Sequence, residues 1–142
     1  MLTIVILTKN EAKRLLSCLD AIPPSYPVIV LDSGSEDETL AIAEEHGCTV
    51  YTQQWLGFAG QRNFALKNCN IQKGWVLFID ADEFYPPEFF AWFEKKPALL
   101  ENIDVLMTPS WLVFCGQRLK HVPGYPIYHP RLVRAGITPF TI

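Results

Sequence analysis

No stretch of this 142-residue sequence stays apolar for the ~20 residues a helix needs to cross a bilayer. The apolar start, Leu2 to Leu7, is interrupted at once by Lys9 and Glu11, which is too short for a secretory leader. Charged residues are few, at 19%, with a net charge of -3. Lys and Arg are scattered, so no basic face points to a nucleic-acid partner. The four cysteines, at positions 18, 48, 69 and 115, match no zinc spacing. Reduced, mostly buried thiols in a cytoplasmic protein are expected, with two disulfides as the alternative. There is no internal repeat, no low-complexity segment and no clear linker. No Asp or Glu follows Asp104.

What is present is apolar material for one core, 49% of the residues. The pattern alternates strands and helices. Leu2 to Leu7 is a continuous apolar run, as in a parallel strand covered on both faces. Asn10 is positioned to cap a helix carrying Ala12, Leu15, Leu16, Leu19 and Ile22, which Pro23-Pro24 stops. Val28 to Leu31 reads as a second strand. Ser35 and Glu38 have capping-box spacing for a helix that ends at Gly47. Cys48 to Thr52 is a short strand, Phe58 to Cys69 a helix and Trp75 to Ile79 a strand. After Pro86-Pro87, which suit a first helical turn, Phe89 to Lys95 is helical, and Ile103 to Met107 is a fifth strand. This order predicts an α/β fold, a mostly parallel sheet flanked by helices. Beyond Met107 short extended pieces rich in Pro, Gly and aromatics take over.

In an open parallel sheet, ligands bind beyond the carboxyl ends of the strands. Thr8-Lys-Asn-Glu11, Asp32-Ser-Gly-Ser35 and Asp80-Ala-Asp-Glu83 all stand at such ends. Asp80 and Asp82 are two apart, so in extended backbone they face one side, and Ala81 leaves room for a close ligand. Two carboxylates on one side repel unless a cation lies near them. Oxygen ligands suit Mg²⁺ or Mn²⁺, shared with substrate phosphates, and such an ion would stabilise a departing diphosphate. The plainer reading is that both acids cap the following loop. Asp32 could accept a nucleobase N–H, or simply shape its turn. Thr8, Asn10 and Glu11 could address base or ribose, or cap a helix. Arg62, within Gly60-Gln-Arg-Asn63, could offset diphosphate charge, or be a solvated surface arginine.

Val5-Ile-Leu-Thr-Lys-Asn-Glu11, Val30-Leu-Asp-Ser-Gly-Ser-Glu-Asp-Glu-Thr39, Gly60-Gln-Arg-Asn-Phe-Ala65 and Trp75-Val-Leu-Phe-Ile-Asp-Ala-Asp-Glu83 together resemble the ordered motifs of family 2 glycosyltransferases. The similarity is to the branch of lipopolysaccharide-core glucosyltransferases that modify heptose. It implies a GT-A, Rossmann-like fold. Residues 1–107 would form the nucleotide-sugar-binding half, and residues 108–142 the start of an acceptor-side half. It implies that Thr8 and Glu11, with Asn10 between them, line the nucleoside pocket. Asp32 would contact uracil, Arg62 the base and diphosphate, and Asp80 with Ala81 the ribose. Asp80 and Asp82 would hold Mg²⁺ or Mn²⁺. The implied reaction moves a sugar from a nucleotide-diphosphate donor, usually UDP-linked, to a cell-envelope glycan or lipid-linked acceptor, mostly with inversion.

Inversion needs a general base on the acceptor hydroxyl. The family takes it from an Asp or Glu well downstream of Asp82. Glu83 and Glu88 are too near to match it, Asp104 stands in or before a strand, and in the Tyr125 to Arg134 segment His129-Pro130 replaces an acid. The catalytic residue is therefore unknown, and a C-terminal truncation is expected. The stretch from Ala135 to Ile142 reads like the middle of a fold. A nucleotidyltransferase is disfavoured by the lack of glycines in Thr8 to Glu11. A phosphatase with Asp80 as nucleophile is disfavoured by the lack of Ser or Thr after the motif. A non-catalytic nucleotide-sugar-binding module is the runner-up. Trp111 to Phe114 is expected as a buried strand; its alternative is peripheral contact with the inner membrane face.

Overall fold

The computed structural model describes residues 1–95, 98–119, 124, 126–137 and 140. Tyr125 of the Tyr-Pro pair, and Thr138, Pro139, Thr141 and Ile142 near the C-terminus, lie outside the described residues. Six strands form one sheet in the order β3-β2-β1-β4-β8-β5. These are β1 (Leu2–Thr8), β2 (Val28–Asp32), β3 (Thr49–Thr52), β4 (Trp75–Asp80), β5 (Val105–Ser110) and β8 (Ile127–Arg134). Helices α1 (Ala12–Asp20), α2 (Thr39–Glu45), α3 (Gly57–Asn68) and α4 (Pro87–Glu94) connect them, with a short 3₁₀ turn at Ala98–Glu101. A separate hairpin pairs β6 (Val113–Phe114) with β7 (Gln117–Arg118).

Strands β3, β2, β1 and β4 run parallel, and every residue of β1 is buried. The period of two divides this strand between two cores. Leu2, Ile4 and Ile6 pack with Leu15 and Leu19 of α1, Ala43 of α2, and Phe90 and Phe93 of α4. Val5 and Leu7 pack on the other face with Ala65, Leu66 and Cys69, at and just after the end of α3. A strand covered on both faces has to be apolar throughout, which is why its sequence shows no alternation. Pro87 is the first residue of α4, as its missing N–H allows, and Gly47 takes a φ of 72° just past α2. Of the four thiols, Cys18 and Cys69 are buried, Cys48 is partly buried and Cys115 is exposed, and none is paired.

Several local expectations are corrected. Asn10 does not cap α1: it has a φ of 54°, and its Oδ1 accepts from the Glu36 N–H. The first N–H of α1, on Ala12, is met instead by Asp37. Ser35 and Glu38 form no capping box, because Ser35 is turned to Asp32 and α2 begins at Thr39, whose N–H Asp37 accepts. Trp111 to Phe114 is not a buried strand. Val113 and Phe114 are exposed in the hairpin, whose turn places Cys115 and Gly116 at φ of 50° and 75°. The strand expected at Ile103 to Met107 runs from Val105 to Ser110, and antiparallel β8 separates it from β4.

Candidate functional site

Strand order reverses at the β1–β4 boundary, where a crevice opens at the carboxyl edge of a doubly wound sheet. The register brings the motifs level there: Thr8 pairs with Asp32, and Leu7 with Asp80. The loops after β1 and β2 are then stitched together. Ser33 N–H donates to the Thr8 carbonyl at 2.9 Å, Asn10 N–H to Ser35 Oγ at 2.7 Å, and Glu11 N–H to Thr39 Oγ1 at 2.9 Å. Lys9 Nζ reaches the Ser33 carbonyl at 3.1 Å. The Glu11 carboxylate pairs with Arg14 at 3.4 Å, partly exposed.

Asp32 is fully buried and receives four donors. Thr8 Oγ1 and Ser35 Oγ donate to Oδ1, and the N–H groups of Gly34 and Ser35 donate to Oδ2. Burial pulls its pKa upward, but the bonds from Ser35, Thr8 and Gly34 prevail and hold it below the ordinary aspartate range. Its carboxylate thus shapes its own loop, and a base could reach it only by exchange with one of these donors.

Arg62 is not a solvated surface arginine. Its guanidinium lies between the rings of Phe58, at 5.7 Å, and Phe140, at 5.6 Å, and its Nη2 stands 3.5 Å from Asp80 Oδ1. The neighbouring Gln61 is fully buried and donates to Ser33 Oγ at 2.7 Å and to the Gln53 carbonyl, fastening α3 to the loops after β2 and β3.

A second arginine completes this group. Arg131, on β8, directs Nη2 at both Asp80 Oδ2 and Glu83 Oε1, each at 2.6 Å. Glu83 Oε2 accepts the Asp80 N–H at 3.2 Å, and the Glu83 N–H closes the turn on the Asp80 carbonyl. Burial raises the Glu83 pKa, which Arg131 offsets only in part. Burial would lower that of Arg131, but its bond to Asp80 and the charges of Asp80 and Glu83 hold it above its ordinary value. Burial and the Arg131 charge lower that of Arg62. Sequence reasoning passed over Arg131 as a site residue; its one signal was membership of the Tyr125 to Arg134 segment.

Asp82 differs from its neighbours. It is exposed and forms no ion pair among the described residues. It lies between two clefts. One, of about 620 Å³, is lined by Asp82 to Pro86, Pro109 to Val113, Arg118, Ile127 and His129. The other, of about 280 Å³, lies against Lys13, Arg14 and Ser17 of α1. Thr8, Asp32 and Arg62 line neither. Asp104 pairs with Arg134, which neighbours Trp75 at the amino end of β4, so this acid is at the opposite sheet edge from Asp80.

Among the described residues, no three His, Cys, Asp or Glu side chains are grouped to hold a metal. Both Asp80 oxygens and both Glu83 oxygens already have partners, and Asp82 alone is open. One open carboxylate fits Mg²⁺ or Mn²⁺ when substrate phosphates supply further oxygens.

Residues 3–99 match the model of the family described as Glycosyl transferase family 2. The chain belongs to that family. An uncharacterized glycosyltransferase of Rickettsia felis is 46% identical over 79 residues, which are 55% of this chain and 27% of that protein. LpsC of Rhizobium meliloti, a lipopolysaccharide core biosynthesis glycosyltransferase, is 33% identical over 94% of this chain and 47% of its own. The chain thus spans about half the length of the Rhizobium relative, and less of the Rickettsia one. Glucosyl-3-phosphoglycerate synthase of Mycobacterium tuberculosis, solved with Mn²⁺, UDP and glucosyl-3-phosphoglycerate, superposes with a TM-score of 0.59 at 27% identity, over 74% of this chain and 42% of that one. TarS 1–349 of S. aureus, solved with UDP-GlcNAc, gives 0.55 at 25% identity, over 66% and 30%. The family 2 sheet described above is of the GT-A type.

Proposed function

We propose that this chain binds a UDP-sugar with Mg²⁺ or Mn²⁺ and serves transfer of the sugar, with inversion, to a lipid-linked or cell-envelope glycan on the cytoplasmic side of the membrane. The observation that carries this reading is Asp82, open at the end of β4, beside a turn whose other acids are paired with Arg62 and Arg131. The UDP-GlcNAc, UDP and Mn²⁺ in complexes of structurally similar proteins support the donor and the ion. The name of the Rhizobium relative supports the acceptor class.

Asp82 would hold the ion together with diphosphate oxygens, and the ion would stabilise charge on the leaving group. Arg62 adds a cation near the same phosphates. Thr8, Asn10 and Glu11 bound the nucleoside side, with the Asp32 loop as its floor and Ala81 giving close approach near the ribose. Residues 1–107 would form the donor half and residues 108–142 the start of the acceptor half, of which Pro109 to Val113, Arg118, Ile127 and His129 line the larger cleft. The acceptor hydroxyl would give its proton to a general base as its oxygen bonds to the sugar carbon, while the bond from that carbon to the phosphate oxygen breaks and UDP leaves with the electron pair.

Calorimetry with UDP and Mn²⁺ tests the donor reading. Wild type should bind UDP in a metal-dependent manner, and Asp82→Ala should weaken it by about tenfold or more. Absence of UDP binding in wild type would sink the reading, and unchanged affinity in Asp82→Ala would sink the role given to that residue.

A further inference from the structure

We propose that Arg131 is a positioning residue that keeps Asp80 and Glu83 occupied, and so prevents a divalent cation from binding this turn before a nucleotide arrives. The inference rests on the reading of Asp82 as the metal-facing carboxylate. Three carboxylates stand within four residues at the end of β4, and two of them, Asp80 and Glu83, converge on one point. Divalent affinity for an oxygen site rises with the number of carboxylates offered. Arg131 removes two of the three with one nitrogen, 2.6 Å from each.

Among the described residues, Asp80 and Glu83 are the hydrogen-bond partners of this guanidinium. Its side chain is 5% exposed, and its Nε and Nη1 are buried without a hydrogen-bond partner among the described residues. A desolvated cation in that state has Asp80 and Glu83 as its compensating charges, and losing either is costly. Arg62 backs the arrangement from α3, facing the other Asp80 oxygen. The result is a turn with one free carboxylate. That is a poor cation site by itself and an adequate one once phosphate oxygens are added.

The test uses Mn²⁺ alone, with no nucleotide, titrated into the full chain and followed by calorimetry and by the resonance signal of free Mn²⁺. Arg131→Gln should bind Mn²⁺ at least about tenfold more tightly than wild type, and adding Asp80→Asn and Glu83→Gln should abolish the gain. Arg131→Lys, which keeps the charge, should stay closer to wild type than Arg131→Gln does. An Arg131→Gln affinity within twofold of wild type overturns the proposal. If Arg131→Gln is unfolded in metal-free buffer, Mn²⁺ should restore its circular dichroism and melting transition, because a cation replaces the missing charge. A variant that stays unfolded at saturating Mn²⁺ also overturns it. Because no arm contains nucleotide, failure of wild type to bind UDP would count against the donor reading and leave this result standing.

Discussion

Asp32 shows how much one side chain can do for the loops around it. Its four donors come from Thr8, Gly34 and Ser35, so it joins the ends of β1 and β2. Asp32→Asn would aim an amide at one or two of those donors and lose the charge that strengthens the rest. We expect a loss of about 2 kcal/mol at pH 7, read by urea denaturation. The sign with pH follows from a carboxylate held below its ordinary range. Its stabilisation is complete above the unfolded value of about 3.9 and is lost as pH falls through the lower folded value. The gap between wild type and Asp32→Asn should therefore narrow below about pH 4; a gap constant from pH 7 to 3 would contradict the hydrogen-bond account. Asp32 and Asp80 were legible as candidates because each stands in a short motif at a strand end, and Arg62 because it stands in the Gly60-Gln-Arg-Asn63 motif of α3. Arg131 was not, because its partners lie 51 and 48 residues away and only the pairing of β8 with β4 brings it to them.

The elements differ in how openly their residues announce them. Strands β1, β2 and β4 are apolar runs bounded by polar turns, and the structure has them within a residue of expectation. Strand β8 contains Pro130 and His129 and reads as irregular. It survives because its ladder with β4 covers only Leu132 to Arg134, beyond the proline, and because β5 shifts register between Leu106 and Met107, just before Met107 pairs with Pro130. Gly60 in α3 gives a test at this scale. Alanine there would gain about 1 kcal/mol of helix propensity. Yet its Cβ would stand 2.7 Å from Cβ of Leu56, an atom fixed to the backbone at the start of the helix. Overpacking of this kind costs about 1–3 kcal/mol, so Gly60→Ala should lower the melting temperature. An unchanged or higher value would mean that the start of α3 moves freely, and that its hold on Arg62 is looser than the geometry implies.

At the scale of the whole molecule, polarity is distributed unevenly around the larger cleft. Asp82 and Glu83 stand on one side, while Trp111, Leu112 and Val113 of the hairpin region line the other. Phe114 and Phe84 are each 66% exposed, and Arg118 stacks on Trp111 with its guanidinium 3.3 Å from the ring centroid. An aromatic and aliphatic rim beside a basic group is the composition that settles at a lipid interface. Among the described residues no helix is long and apolar enough to cross a membrane; the contact proposed for the rim is with a membrane surface. This suits an acceptor presented from a lipid surface, because the hairpin would rest on that surface while the carboxylates face the sugar. Co-sedimentation with vesicles containing about one-third anionic lipid reads this directly. Wild type should sediment with the vesicles, and the double substitution Trp111→Ser and Phe114→Ser should reduce the bound fraction by about threefold or more, since each loses an interfacial aromatic. Folding should be unaffected, because both side chains are substantially exposed. Equal binding by the two proteins would assign the exposed hairpin to some other contact and leave the acceptor class resting on the likeness to the Rhizobium relative.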